Sequence, residues 1–166
     1  MKKKILNYLP MLWPLLLALG VVVLDQWSKV QILHLFSTPR GMVTVTPFFN
    51  LVLVLNRGVS FGIFDGTTVM SDFFAGLGLV ITLVLILWLP RLKTRLSALA
   101  FGLLIGGAIG NVTDRLRLGA VVDFLDFHVA NLHWPAFNVA DSAVVTGVAA
   151  LLLQSLVFDK KTRHSF

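Results

Sequence analysis

Four long runs of apolar residues dominate the chain, at about residues 11–33, 69–89, 96–116 and 137–158. A helix needs roughly 20 mostly apolar residues to cross the hydrocarbon core of a bilayer, and each run meets that length. The pattern therefore predicts an all-α membrane protein with four transmembrane helices, built as a single domain over residues 1–166. The first run follows three lysines, as a signal peptide does, but it is longer and contains Asp25 and Lys29. We interpret it as a retained first helix.

The segment between the first two runs has a different pattern. Residues 43–46 alternate between apolar and polar side chains, Pro47 interrupts the alternation, and residues 50–56 are rich in Leu and Val. Such patterns are typical of strands, so we expect a small β element at about residues 42–64, outside the membrane. Residues 117–136 are interpreted as an irregular, amphipathic outer segment.

The composition supports the membrane assignment, because 57% of the residues are hydrophobic and only 13% are charged. The net charge of +6 does not indicate nucleic acid, since the basic residues form short clusters beside the apolar runs. Of the 14 Lys and Arg residues, three precede the first run, three follow the second and three follow the fourth. The positive-inside rule therefore predicts that both termini are cytoplasmic, and that residues 34–67 and 117–136 lie at the outer face.

The residue types limit the possible chemistry. The chain has no cysteine, which excludes thiol nucleophiles, disulfides and thiolate metal ligands. All eight acidic residues are Asp, so an H-E-x-x-H zinc site is excluded as well.

Two other sites are weaker alternatives to an aspartate site. Residues 58–62 match G-x-S-x-G around Ser60, which suggests a serine hydrolase with His128 or His133. A metal site is the second alternative, with the ligands Asp123, Asp126, His128 and His133. We expect neither a metal nor a cofactor.

Charged groups within membrane helices are costly and mark candidate sites. Asp25 and Lys29 are spaced i, i+4 on the first helix, which favours a structural ion pair between them. Asn111, Asp114 and Arg115 share one face of the third helix near its outer end. We interpret them as a polar surface for ligand contacts or for structural support.

Two other aspartates are candidates for catalysis. Asp123 follows two valines and has no basic neighbour in the sequence, and Asp141 lies three residues after Asn138 at the start of the fourth helix. Asn138 and Asp141 also fit a helix cap, which is the structural alternative. Two carboxyl groups that meet in a low-dielectric cleft share a proton, so that one activates water and the other donates to a carbonyl. This is the chemistry of an aspartic peptidase.

Five short segments in this order resemble the lipoprotein signal peptidase family, also called signal peptidase II. They are Asp-Gln-Trp-Ser-Lys at 25–29, Asn-Arg-Gly-Val-Ser-Phe at 56–61, Gly-Asn-Val-Thr-Asp-Arg at 110–115, Val-Val-Asp-Phe at 121–124 and Phe-Asn-Val-Ala-Asp-Ser at 137–142. The resemblance covers nearly the whole chain and agrees with four helices. One departure is Arg57, where the family often has Thr.

The resemblance implies an endopeptidase of the bacterial cytoplasmic (inner) membrane that cuts prolipoproteins before a diacylglyceryl-modified cysteine. It implies that Asp123 and Asp141 are catalytic. It further implies that the substrate cleft is lined by Asn56, Asn111, Arg115 and Asn138, and supported by Asp25, Lys29 and Asp114. The expected partners are the lipid-modified precursor and membrane phospholipids. We expect a monomer, because the third helix can use its glycine face, at Gly102, Gly106 and Gly110, within its own bundle.

Two other classes of function remain as alternatives. A proton-coupled transporter would use intramembrane aspartates without cutting a substrate, but its polar groups belong at the midplane and its helices in paired repeats. A noncatalytic scaffold would use the glycine face of the third helix to bind another protein. Cleavage of a lipidated precursor separates the peptidase from both.

Overall fold

The computed structural model describes residues 9–39, 41–58 and 68–163. Within these ranges the elements are α1 (Leu9–Leu35), β1 (Val43–Thr46), β2 (Phe49–Asn56), α2 (Thr68–Trp88), α3 (Arg95–Leu118), β3 (Val121–Val129), β4 (Leu132–His133) and α4 (Val139–Arg163). The 3-10 turn Leu89–Arg91 connects α2 to α3. In the described part of the chain, four helices are long and apolar enough to cross a membrane, which agrees with the predicted number of transmembrane helices. The strands lie between α1 and α2 and between α3 and α4, so all of them are at one end of the bundle, here called the sheet end.

Helix α3 occupies the centre of the bundle and packs against α1, α2 and α4. Small residues make this possible, because they let helix backbones approach closely in lipid. A Cβ atom at Gly102 would lie 2.7 Å from the carbonyl oxygen of Pro14, and one at Gly106 would lie 2.7 Å from that of Ala18. On the other side of α3, a Cβ atom at Gly107 would overlap the carbonyl oxygen of Ala140 on α4. The glycines therefore set the spacing of α1 and α4 around α3.

The four strands form one antiparallel sheet in the order β1-β2-β3-β4. Val122 and Phe124, on one face of β3, attach this sheet to the bundle because they form a buried cluster with Ile32 of α1. The sheet is larger than the predicted β element. The expectation of an irregular segment is wrong for residues 121–129, which form β3. Both faces of residues 121–126 are largely covered, so this part of the sequence lacks the alternation that marks a half-buried strand. Residues 59–64 of the predicted element lie outside the described residues.

The pairing of β2 with β3 contains an irregularity that sets which side chains meet. Asn50 lies opposite Asp126. The register shifts between Leu51 and Val54, and after this shift Val54 lies opposite Asp123. From Leu51 to Val54 β2 advances by three residues, whereas β3 advances by two, from Leu125 to Asp123, so β2 holds one extra residue there. Since side chains alternate between faces, this bulge places Asn56 on the same face as Asp123.

Candidate active site

The two predicted catalytic aspartates meet at the sheet end, where Asn138 contacts both. Asp123 comes from β3, and Asp141 lies in the first turn of α4. The amide nitrogen of Asn138 donates to Asp123 Oδ1 at 2.7 Å, and its Oδ1 accepts from the backbone N–H of Asp141 at 2.8 Å. The backbone N–H of Asn138 donates in turn to Asp141 Oδ2 at 3.2 Å. The cap of α4 is therefore also the contact that joins the two carboxyl groups, so the structural and catalytic interpretations of this motif coexist.

Asp123 is almost completely buried, and amide groups hold both of its oxygens. Asn56 donates to its Oδ2 at 2.9 Å, while the Oδ1 of Asn56 accepts from the backbone N–H of Gly58 at 2.8 Å. Burial raises the pKa of Asp123 to about 6 and is the largest cause. The hydrogen bond from Asn56 opposes this rise, whereas the nearby charge of Asp141 adds to it. Asp123 can therefore hold or release a proton close to neutral pH.

Asn111 and Arg115 of α3 border the same site. The amide of Asn111 donates to Asp141 Oδ1 at 2.7 Å. Arg115 lies one turn later, with its guanidinium 5.6 Å from the ring centre of Phe74, and it interacts electrostatically with Asp141 and Asp123. The four residues predicted to line the cleft thus surround the two aspartates. Three of them, all asparagines, donate directly to a carboxylate in this structure.

The three predicted support residues form a buried ion-pair cluster beneath the site. Lys29 Nζ lies 2.8 Å from Asp25 Oδ2 and 2.8 Å from Asp114 Oδ2. Asp25 and Asp114 also accept hydrogen bonds from the backbone next to Asp141 and Asp123. Asp25 Oδ1 accepts from the N–H of Ala140 at 2.9 Å, and Asp114 Oδ2 accepts from that of Val122 at 3.0 Å. The cluster therefore fixes α1 to the start of α4 and to β3.

Two residues of the site were not predicted. Gln26 donates to Asp114 Oδ1 at 2.8 Å and to Asp25 Oδ2 at 3.2 Å, and its position inside the Asp-Gln-Trp-Ser-Lys segment was a signal for this role. Phe74 lies under Arg115 and against Gly58, and nothing in the sequence distinguishes it from the other aromatic residues of the apolar runs. Arg57 directly follows β2 and is exposed, and the structure gives no reason for its difference from the family pattern.

Among the residues of the two alternative sites, Asp123 alone belongs to the dyad. Ser60 is outside the described residues, as is most of its G-x-S-x-G segment. Asp126 is apart from the dyad and accepts from Asn50 at 2.9 Å and from His133 at 2.8 Å. The hydrogen bond from Asn50 is the largest cause that lowers the pKa of Asp126. His128 stacks on His133 with ring centres 4.8 Å apart. Over the described ranges, no three His, Cys, Asp or Glu side chains are grouped so that they could hold a metal ion.

Comparison with known proteins gives a consistent result. The lipoprotein signal peptidase of Cupriavidus pinatubonensis is 47% identical over 153 residues, which cover 90% of this chain and 85% of that protein. The lipoprotein signal peptidase of Aeromonas hydrophila is 46% identical over 148 residues, with coverage of 87% and 89%. A bacterial membrane enzyme solved by the in meso method at 2.3 Å resolution has a TM-score of 0.75 and 30% identity, and the match covers 92% of this chain and 91% of that chain.

A second bacterial membrane enzyme, solved by the same method at 1.9 Å resolution, has a TM-score of 0.73 and 31% identity, with coverage of 86% and 92%. The family model described as Signal peptidase (SPase) II matches residues 17–157, which is most of the chain. The five sequence segments that suggested this family lie within the matched range. The chain therefore belongs to the signal peptidase II family and is a multi-pass bacterial membrane protease.

Proposed function

We propose that this protease removes the signal peptide from lipid-modified prolipoproteins by cutting before the diacylglyceryl-modified cysteine, with Asp123 and Asp141 activating water. The observation that carries the mechanism is the contact of Asn138 with both carboxyl groups, because its side-chain amide donates to Asp123 and its backbone N–H donates to Asp141 in a mostly buried site. The class of substrate follows from the names of the similar proteins, which are lipoprotein signal peptidases.

The reaction needs one carboxyl group protonated and the other ionised. The raised pKa of Asp123 supports its role as the protonated member. Asp141 then takes a proton from water as the oxygen of that water attacks the scissile carbonyl carbon, and Asp123 donates its proton to the carbonyl oxygen. The tetrahedral intermediate collapses when the carbon–nitrogen bond breaks and the proton held by Asp141 passes to the leaving amine. The hydroxyl proton of the intermediate returns to Asp123, so the dyad is ready for the next cycle.

The position of the site suits a substrate that arrives as a membrane helix. A helix must be unwound locally before water reaches its carbonyl carbon, and at membrane depth this requires polar partners for the freed backbone groups. Asn56, Asn111, Arg115 and Asn138 provide such partners beside the dyad. The site faces the outer side of the cytoplasmic (inner) membrane in this proposal, membrane phospholipids surround the bundle, and the protease acts as a monomer.

The test of this function is cleavage of a purified precursor. The protein in detergent or bilayers is incubated with a diacylglyceryl-modified precursor and, as a control, with the same precursor whose lipidated cysteine is replaced by serine. We expect a shortened product with a lipidated N-terminal cysteine from the first substrate alone. Intact precursor after prolonged incubation, with folded protein present, contradicts the proposal and favours a transporter or a scaffold.

The pH dependence of cleavage tests the role of Asp123. The pH dependence of kcat/KM reports the pKa values of the free enzyme. If Asp123 must be protonated, kcat/KM therefore falls as pH rises through about 6. Asn56→Leu removes a hydrogen bond that lowers the pKa of Asp123, so the alkaline limb should move to higher pH. Asn50→Leu is the matched control, because this amide lies on the same strand but contacts Asp126. If kcat/KM instead rises as the pH increases through about 6, Asp123 acts as the base and the assignment is wrong.

The orientation of the chain is tested with reporter fusions. A reporter fused after Phe166 should be active only if it is a type that works in the cytoplasm, because the clustered basic residues hold this end inside. A reporter inserted at Gly41, which is exposed between α1 and β1, should be active only if it works after export. The opposite pattern would place the dyad on the cytoplasmic side and contradict the proposed route of the substrate.

A further inference from the structure

Asn111 lies between the buried lysine and the catalytic Asp141, and its two amide atoms face opposite charges. Its Oδ1 accepts from Lys29 Nζ at 3.2 Å and from the amide of Asn138 at 3.2 Å. Its Nδ2 donates to Asp141 Oδ1 at 2.7 Å. One side chain therefore connects the ion-pair cluster on α1 and α3 to a carboxyl group of the dyad.

The charges on either side allow one orientation of this amide. If the Asn111 amide were turned over, its NH2 group would face the ammonium of Lys29 and its oxygen would face the oxygen of Asp141. Donor would then oppose donor and acceptor would oppose acceptor in a buried site, where unsatisfied polar groups are costly. Lys29 and Asp141 thus favour the same orientation independently of each other.

We propose that Lys29 is a positioning residue for cleavage, which fixes the Asn111 amide so that its NH2 group holds Asp141 against the substrate. The proposal rests on the proposed function, because it assigns Asp141 a catalytic role. An ammonium has three donors, and its two carboxylate partners, Asp25 and Asp114, already form the ion pairs of the cluster. The contact with Asn111 is additional to that pairing and leads directly to the dyad.

This role differs from simple support of the fold in what it changes. Loss of support lowers the amount of folded protein and leaves the folded molecules active. Loss of positioning leaves Asn111 Oδ1 with one of its two donors, the amide of Asn138, so in folded molecules the Asn111 amide is held less firmly and Asp141 moves relative to the water and the carbonyl. Small displacements of catalytic groups reduce turnover without weakening binding, because the precursor is held by other contacts.

The first test is Lys29→Met, which keeps the length of the side chain and removes its donors. Turnover is measured per folded molecule with a lipidated precursor. We expect kcat to fall about 10²-fold while KM stays within about twofold. The control is Ser28→Ala, which removes a hydrogen bond to the backbone oxygen of Asp25 on the same turn of α1 but none to Asn111. It should leave kcat per folded molecule near the wild-type value.

A second variant covers the case in which Lys29→Met does not fold. Asp25→Asn combined with Lys29→Met removes one acid and one base, so the cluster keeps the net charge of the wild type. The same loss of kcat is expected. Normal kcat per folded molecule in either variant overturns the positioning role, provided that Asp141→Asn is inactive in the same assay. An active Asp141→Asn would instead refute the proposed function itself.

A double-mutant cycle tests whether the effect passes through Asn111. In an Asn111→Ala background, Lys29→Met should reduce kcat little further, because the amide that it orients is already absent. Its effect on thermal stability should remain in both backgrounds, because the ion pairs with Asp25 and Asp114 are lost in each. Independent, multiplying effects of the two substitutions on kcat would overturn the proposal.

Discussion

Asp123→Asn and Asp141→Asn are each expected to abolish cleavage, with a loss of about 10⁴-fold or more, while the variants still fold and bind the precursor. An amide cannot take a proton from water or donate a carboxyl proton to the carbonyl oxygen, so either substitution stops the proton transfers. Asn is nearly the same shape as Asp and removes charge repulsion from the cleft. Single-turnover cleavage, normalised to folded protein, measures the loss, and retention of a lipidated precursor measures binding.

The controls for the dyad use other buried aspartates. The double variant should be hardly slower than either single one, because the two carboxyl groups act as a unit. Asp126→Asn changes a buried aspartate on the same strand that contacts Asn50 and His133 instead of the dyad, so turnover per folded molecule should persist. Substantial turnover in Asp123→Asn, together with none in Asp114→Asn at equal folding, would show that the catalytic pair has been chosen wrongly.

Gly106→Leu is expected to prevent stable assembly of the bundle, with a cost above about 3 kcal/mol. A Cβ atom alone would lie 2.7 Å from the carbonyl oxygen of Ala18 and 2.7 Å from Val21 Cβ, and both belong to α1. Backbone cannot move aside as the end of a side chain can, so α1 must separate from α3. The yield of folded protein and its thermal unfolding in detergent measure the effect.

Gly76→Leu is the matched control, because a Cβ atom at this glycine of α2 meets nothing within 4 Å. This substitution should leave yield and thermal unfolding nearly unchanged. Equal damage from both would mean that leucine disturbs these helices through insertion into the membrane instead of through helix packing. Since α1 carries Lys29 and α3 carries Asn111, any folded fraction of Gly106→Leu should also have reduced turnover.

The helices could be predicted from the sequence because the bilayer imposes one simple requirement, about 20 apolar residues for each span. The sheet could be predicted only in part. Residues 43–46 and 50–56 carry recognisable strand patterns, whereas β3 was missed. Its residues Val122 and Phe124 face the core while Asp123 faces the site, so the strand contains apolar and acidic residues without a regular period. The face on which each β3 residue lies depends on its contacts with other strands and helices, and a single sequence does not show those contacts.

The candidate site shows the same division. Ionisable groups at membrane depth are rare enough to be noticed, which is why the cluster around Lys29 and the aspartates could be proposed from the sequence. Their connections could not, because Asn56 reaches Asp123 across 67 residues and Lys29 reaches Asn111 across 82. Phe74 illustrates the limit, since one aromatic residue in an apolar helix looks like any other until its neighbours are known.

The bulge in β2 has a consequence for how this protein tolerates insertions and deletions. Removing one residue at the bulge, between Leu51 and Val54, would restore regular pairing with β3 and still leave Asn56 opposite Val121, on the face of Asp123. Adding or removing one residue between Val54 and Asn56, with Val54 still opposite Asp123, would instead turn Asn56 to the other face, so Asp123 would lose its amide partner even though Asn56 was still present. The spacing from Val54 to Asn56 is therefore constrained as strictly as the identity of Asn56. Length changes that preserve activity should accumulate at the bulge and in exposed connections such as the one around Gly41.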